Sequence, residues 1–190
     1  TVRYIEYLSN YEFGTDIKDA YFVDCGLTYS GSAATSLSGL NHLEGEKVVV
    51  LGDGATHPDR TVSSGAITLS RSVKKAHIGF NYISTLQTMR IDSGGTEGTS
   101  QGKTKRINNI TLRLYKSVGV KVGSSETELD LIPFRSSADD MSEALGMFTG
   151  DKEVEFRGGY DNDGFVFVKQ DQPLPLTVLA IFPRLQTFDQ

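Results

Sequence analysis

Four stretches of the sequence carry residue types and spacings that could do chemistry. The first is "VVVLGDGATHPDRTV" at 48–62, where Gly52-Asp53-Gly54 follows an apolar run. A dinucleotide loop needs G-x-G-x-x-G between a strand and a helix, so that amides at the helix start face the phosphate. Here the third glycine position is His57, and "HPDRTV" turns back into strand-like text. Asp-Gly tolerates positive φ, so the stretch reads as a tight hairpin displaying His57 and Asp59 near its tip. The second is "GTSQGKT" at 98–104, close to a phosphate-binding loop, G-x-x-x-x-G-K-[ST]. Three residues rather than four separate Gly98 and Gly102, and a strand rather than a helix follows, so it reads as a flexible loop. Its Lys103, with Lys105 and Arg106, forms a local basic spot suited to DNA phosphate.

The third, "GYDNDGF" at 159–165, places Asp161, Asp163 and Gly164 like the start of a calcium loop. From Asp161, position 6 is Val166 and position 12 is Gln172, where an EF-hand needs Gly and Glu, so Asn162-Asp163-Gly164 reads as a turn. The fourth is the scattered set His42, His57, His77 and Cys25. Gaps of 15 and 20 residues are no metal-ligand spacing on one element, and a Cys25–His dyad has no local support. Asp130, Asp139 and Asp140 read as solvated loop carboxylates rather than an acid–base pair. The expectation is therefore no enzyme, no metal and no cofactor.

The elements that hold these residues read as all-β. From Tyr21 to Asp92, "EKVVVLGDG", "RTVSSGAITLS", "KKAHIGF" and "STLQTMRID" are short β-branched runs separated by turn residues, the pattern of a small sandwich or barrel. Beyond a Gly/Ser-rich stretch, "INNITLRLYKS" alternates, with Ile110, Leu112 and Leu114 opposite Thr111, Arg113 and Tyr115. "VGVKVG", "ELDLIPF", "KEVEF" and "GFVFVKQ" follow as strands. "PLTVLAIFPRL" is apolar on both faces and bounded by prolines, which predicts a central buried strand. "TVRYIEYL" at 1–8 alternates and predicts a strand, residues 9–20 a polar linker or surface loop, and "SADDMSEAL" at 137–145 a short helix of one or two turns opened by Ser137. The expected organisation is an N-terminal strand and linker (1–20), a β module (21–92), a linker or loop (93–104) and a second β-sandwich module (105–190). Both modules carry little or no helix.

Bulk properties narrow the function. A net charge of −5 with no basic arm disfavours free nucleic-acid binding as the main role, and is compatible with a channel along which DNA slides. The single Cys25 rules out an internal disulfide framework and reads as a small buried hydrophobe. Apolar runs such as "VLAIF" at 178–182 are too short to span a membrane. A chain that begins at Thr1 without Met reads as a fragment or a processed product.

Residues Gly39–Val48 ("GLNHLEGEKV"), Leu51–Pro58 and Gly65–Leu69 ("GAITL") together resemble a module of phage tail proteins. That module is also similar to the FCCH domain of ubiquitin-activating enzymes, a likeness that implies nothing about ubiquitin transfer. "QGKTKRINNITLRLYKSVGVKVG", "IPFRSSADDM", "FTGDKEVEF" and "DQPLPLTVLAIFPRL" extend the resemblance over nearly the whole chain. It implies the C-terminal region of a tail structural protein like the nozzle (tail tubular protein B) of short-tailed phages, located in the virion. It further implies a homo-oligomeric, hexameric ring, contact with other tail proteins such as the tail adaptor, and transient non-specific contact with genomic DNA. The competing expectation is a tail-tip module that recognises host surface glycan or protein through Tyr29, Tyr82 and Tyr160, whose rings could stack on a sugar.

Overall fold

A computed structural model of the protein describes residues 3–8, 10–92, 94–95 and 98–188. It is nearly all antiparallel β, as the sequence predicts, and its small sheets group into two compact units. The first comprises Thr1–Ile83, Arg135–Met147 and Asp171–Pro175, the second Ser84–Phe134, Phe148–Gln170 and Leu176–Gln190. The described residues of 93–104, a stretch expected as a linker or loop, lie inside the second unit.

The first unit is built on β1 (Asp24–Ser38), β2 (Lys47–Gly52), β3 (Ala55–Thr61) and β4 (Ala66–Phe80), in the order β1-β4-β2-β3. The 48–62 stretch is the predicted hairpin. Asp53 and Gly54 both have positive φ (48° and 80°), the geometry of a two-residue type I′ turn. Gly54 is needed twice over, because a Cβ there would lie 2.4 Å from the Ile17 side chain. Asp53 also clasps β4: its carboxylate accepts from the amides of Lys74 (3.0 Å) and Lys75 (2.9 Å), and its own amide donates to the Lys75 carbonyl. β3 is an edge strand with a register shift between Val48 and Val50, and this is where Pro58 is tolerated. "RTVSSGAITLS" and "KKAHIGF", read as separate strands, contribute to one: β4 runs through both after a turn at Ser63–Ala66.

Val48 through Gly52 are all buried, because β2 is covered on both faces. Val48 and Val50 join Leu37, Leu43, Ile67 and Ile78 in the first core. His77, paired across from Leu51, meets the 3-10 turn Ile17–Asp19: its Nε2 donates to the Lys18 carbonyl (3.0 Å). Of the stretch 9–20, expected as a linker or surface loop, residues 10–16 are mostly exposed, but its end is docked: Ile17 and Ala20 are buried and Asp16 caps the turn through the Lys18 amide. The strand expected at 1–8 is corrected over residues 3–8; its first two residues lie outside the described residues. Among the described residues, 3–8 pair with no strand; Tyr4 packs edge-on against Phe80, Glu6 binds Cys25, and Ile5, Tyr7 and Leu8 are exposed. The helix expected at 137–145 is absent. The Asp139 and Asp140 carboxylates instead accept from the amides of Ser136 and Ser142, local bonds that compete with helix, and the segment forms consecutive turns.

In the second unit, β5 (Ser84–Gln87), β6 (Gly94–Gly95) and β7 (Gly98–Thr99) precede the long β8 (Thr104–Ser117). β9 (Lys121–Gly123), β10 (Leu129–Leu131), β11 (Phe148–Glu155), β12 (Phe167–Gln170) and β13 (Val178–Phe188) follow. One sheet has the order β10-β9-β12-β5, another β11-β8-β13, and β6–β7 is a separate ribbon. Side chains of both larger sheets, among them Ile110, Leu112, Leu114, Val122 and Val168, share one core, so the two form a sandwich.

β8 is the central strand, and it changes parity. Lys105 and Ile107 are buried at its start, Ile110, Leu112 and Leu114 farther on. The switch falls where Arg184 pairs with Asn109 but Leu185 pairs with Ile107, leaving Asn108 as an extra residue, a β-bulge. β13 corrects the expectation of a central buried strand. It pairs only with β8, lies at the sheet edge, and holds Pro183 inside it with Leu179 and Phe182 exposed. An edge strand tolerates a residue with no amide proton, so the proline does not end it.

Three outcomes test this architecture. Asp53→Ala should cost about 2 kcal/mol in urea unfolding, from the lost clasp and from losing the short polar side chain that lets aspartate tolerate positive φ, and Asp53→Gly about half that because glycine keeps the turn conformation without strain. Deleting Asn108 should turn Lys105 and Ile107 outward and Arg106 inward, and lower stability by at least about 3 kcal/mol, read as loss of a cooperative melt. Burial, reinforced by Arg71, holds His57 below the usual histidine range, and burial does the same for His77. Both groups bind a proton less readily in the fold than when unfolded. The urea midpoint of the first unit should therefore fall as pH drops below about 6.5, and His77→Gln should flatten that dependence.

Candidate functional site

Each chemical motif of the sequence resolves into a local structural device. His57 is not displayed at a loop tip; it is buried on β3, accepting at Nε2 from Arg71 Nε (3.1 Å). The "GTSQGKT" stretch runs through β7 and a turn into β8. Lys105 is corrected as a phosphate contact. Its side chain is wholly buried and its Nζ donates to the Asp92 carboxylate (2.9 Å), which holds that carboxyl below the usual range. Lys105 also exchanges both backbone hydrogen bonds with Asp161 (2.7 and 2.9 Å). Lys103 is half-buried, and Arg106 is exposed.

The 159–165 stretch is a turn. The Asp161 carboxylate accepts from the Gly164 amide (3.1 Å), Gly164 has φ of 64°, and Asp163 pairs with Arg90. Among the described residues no group of three or more His, Cys, Asp or Glu side chains is placed to hold a metal ion. Nor do the histidines converge. His42 Nε2 donates to the Cys25 carbonyl (2.8 Å), not to its sulfur, and His77 Nδ1 meets the Thr28 hydroxyl (2.8 Å). Cys25 has its own partner: its Sγ and its amide both donate to the Glu6 carboxylate (2.9 and 2.8 Å). Burial and that carboxylate push the thiol up to about 12, so it is protonated and a poor nucleophile at neutral pH.

The three tyrosines separate. Tyr29 lies on β1 rather than in a loop, half-buried against the first core, with its hydroxyl donating to the Ser32 carbonyl (2.6 Å). Tyr82 lines a cavity of about 230 Å³ together with Tyr11, Tyr21 and Asp24. Tyr160 is 62% exposed in the second unit. The Lys105–Asp161 bridge holds its loop beside the start of β8, so that the Arg106 guanidinium lies over its ring (5.5 Å) and Phe188 meets it edge-on (5.2 Å). Two residues singled out separately, Arg106 and Tyr160, thus belong to one cluster.

That cluster is one end of the solvent-facing side of β11-β8-β13. Farther along β8, Arg113 forms a two-bonded pair with Asp151 (2.7 and 2.8 Å) and lies over Phe182 (5.3 Å). Between the two stacks, Asn109 Nδ2 donates to Glu153 (3.0 Å), which also faces Arg184 (3.8 Å). Phe182, Phe188 and Arg113 gave no sequence signal as a site; only strand pairing brings them onto this face. Among the described residues no helix is long and apolar enough to cross a membrane. Comparison of the sequence with protein-family models and with curated proteins yields no match.

Proposed function

We propose that the chain is a structural component of a phage tail, a nozzle-like part of a ring at the distal tail that lines or closes the DNA exit channel. The resemblance of Gly39–Val48, Leu51–Pro58 and the second-half strings motivates this reading, and the observation that carries it is the segment 3–8. Tyr4 and Glu6 dock on the first unit, while Ile5, Tyr7 and Leu8 stand fully exposed in a stretch of alternating sequence with no ladder partner among the described residues. Three large apolar side chains in so short a stretch call for cover by another chain or another copy, as in a closed ring. The net charge of −5 suits a wall along which DNA passes without sticking. The role makes and breaks no bond; other tail proteins such as the adaptor are its partners and the virion its location.

A second reading is a tail-tip module that recognises host surface glycan. The exposed Tyr160, held between Arg106 and Phe188, is the observation that favours it.

Immunogold labelling of intact, tail-exposed particles tests the first reading. Label at the distal tail is expected, and its absence with a demonstrably accessible epitope overturns it. Ile5→Asp with Tyr7→Asp should abolish self-association in sedimentation velocity while leaving the melting temperature within about 2 °C, since substitutions of exposed residues cost little in the fold.

A further inference from the structure

We infer that the solvent-facing side of the β11-β8-β13 sheet is a binding face for an extended polysaccharide, gripped at two aromatic–arginine stacks. The inference rests on the glycan-recognition reading and leaves the tail reading independent.

The first stack is Arg106 over Tyr160 with Phe188 at its edge; the second is Arg113 over Phe182. Arg106 and Arg113 are an odd number of residues apart, which in a regular strand would put them on opposite faces. The extra residue at Asn108 restores them to one face, and both are exposed where their inward neighbours are buried. At about 3.3 Å per residue the stacks lie roughly 20 Å apart along β8. That span is too long for one sugar ring and suits a chain of several.

The chemistry between the stacks fits hydroxyls better than phosphates. A pyranose presents an apolar C–H face, which an exposed ring covers, and a rim of hydroxyls that both donate and accept. The face supplies both kinds of partner: guanidiniums at Arg106, Arg113 and Arg184 and carboxylates at Asp151, Glu153 and Glu155, with Asn109 among them. Between the stacks three cations and three anions cancel; Lys116, over the Tyr115 ring beyond the second stack, lies outside that strip. A polyanion such as DNA gains its affinity from phosphate neutralisation, and this strip offers it no net charge. The Arg113–Asp151 pair, bonded through both carboxylate oxygens, presents the planar, fixed geometry that vicinal hydroxyls can bridge.

The test is a glycan microarray with the whole chain, followed by calorimetry on an oligosaccharide from the best-bound polymer and on its single-sugar unit. Binding of the oligosaccharide at least tenfold tighter than the monosaccharide is expected. Arg106→Ala with Tyr160→Ala, and separately Phe182→Ala, should each weaken it tenfold or more, and Phe182→Tyr should restore it. These side chains are exposed, and unchanged melting curves would separate lost binding from lost fold. If glycans bind but both variants bind as well as the parent, the face is overturned and the glycan reading stands. If no glycan on the array binds, the glycan reading itself fails, and the face with it. Single-stranded DNA that binds in place of glycan, in a manner abolished by the same substitutions, would also overturn the assignment.

Discussion

The second unit depends on the position of one extra residue. Asn108 adds a residue to β8 against β13, and a strand has period two, so everything before it is inverted relative to everything after it. Without the bulge the strand could satisfy its core with Ile110, Leu112 and Leu114 or with Lys105 and Ile107, but not with both. With it, fourteen residues present one apolar side to the sandwich and one polar, aromatic side to water. The core and the decorated outer face are therefore consequences of the same local irregularity.

The buried Lys105 shows how tightly that arrangement is specified. An ammonium inside a sandwich is costly unless it is paired, and Asp92 supplies the partner at 2.9 Å. The backbone bonds between Lys105 and Asp161 then fix the loop that carries Tyr160. A residue whose type advertises phosphate binding acts as an internal strut, and the exposed cation is its neighbour, Arg106. In the first unit, Asp53 has a comparable role: it forms the turn of the β2–β3 hairpin and ties that turn to β4. The covering turn at Ile17–Asp19 then lets β2 be buried on both sides.

The motif-like strings share a physical explanation. Glycine, aspartate and asparagine are used in phosphate loops and calcium loops because they accept positive φ and bond to nearby amides. Tight turns need the same two properties. Asp53-Gly54 and Asp161 to Gly164 use them to reverse or fasten the chain. What separates a ligand loop from a turn is the element that follows, and in the "GDG" and "GKT" stretches that element is a strand, with no helix terminus to aim at an anion.

The sequence alone determined the class of structure. β-branched runs of four to seven residues, cut by turn residues, allow little else, and the hairpin at 48–62 and the alternation of Ile110, Leu112 and Leu114 follow from local conformation and period. Which strand is central and which lies at an edge was decided only by tertiary pairing. "PLTVLAIFPRL" has the apolar composition of a central strand, yet β8 takes that place and β13 the edge. Residues 3–8 have a strand's alternation and no ladder, because a strand exists only where a neighbour offers its hydrogen bonds. The outer face was equally hidden. Arg106 and Tyr160 were visible as types, but Phe182, Phe188 and Arg113 join them only through the register of β8 with β13 and the parity change at Asn108, which are properties of paired chains and not of a single string.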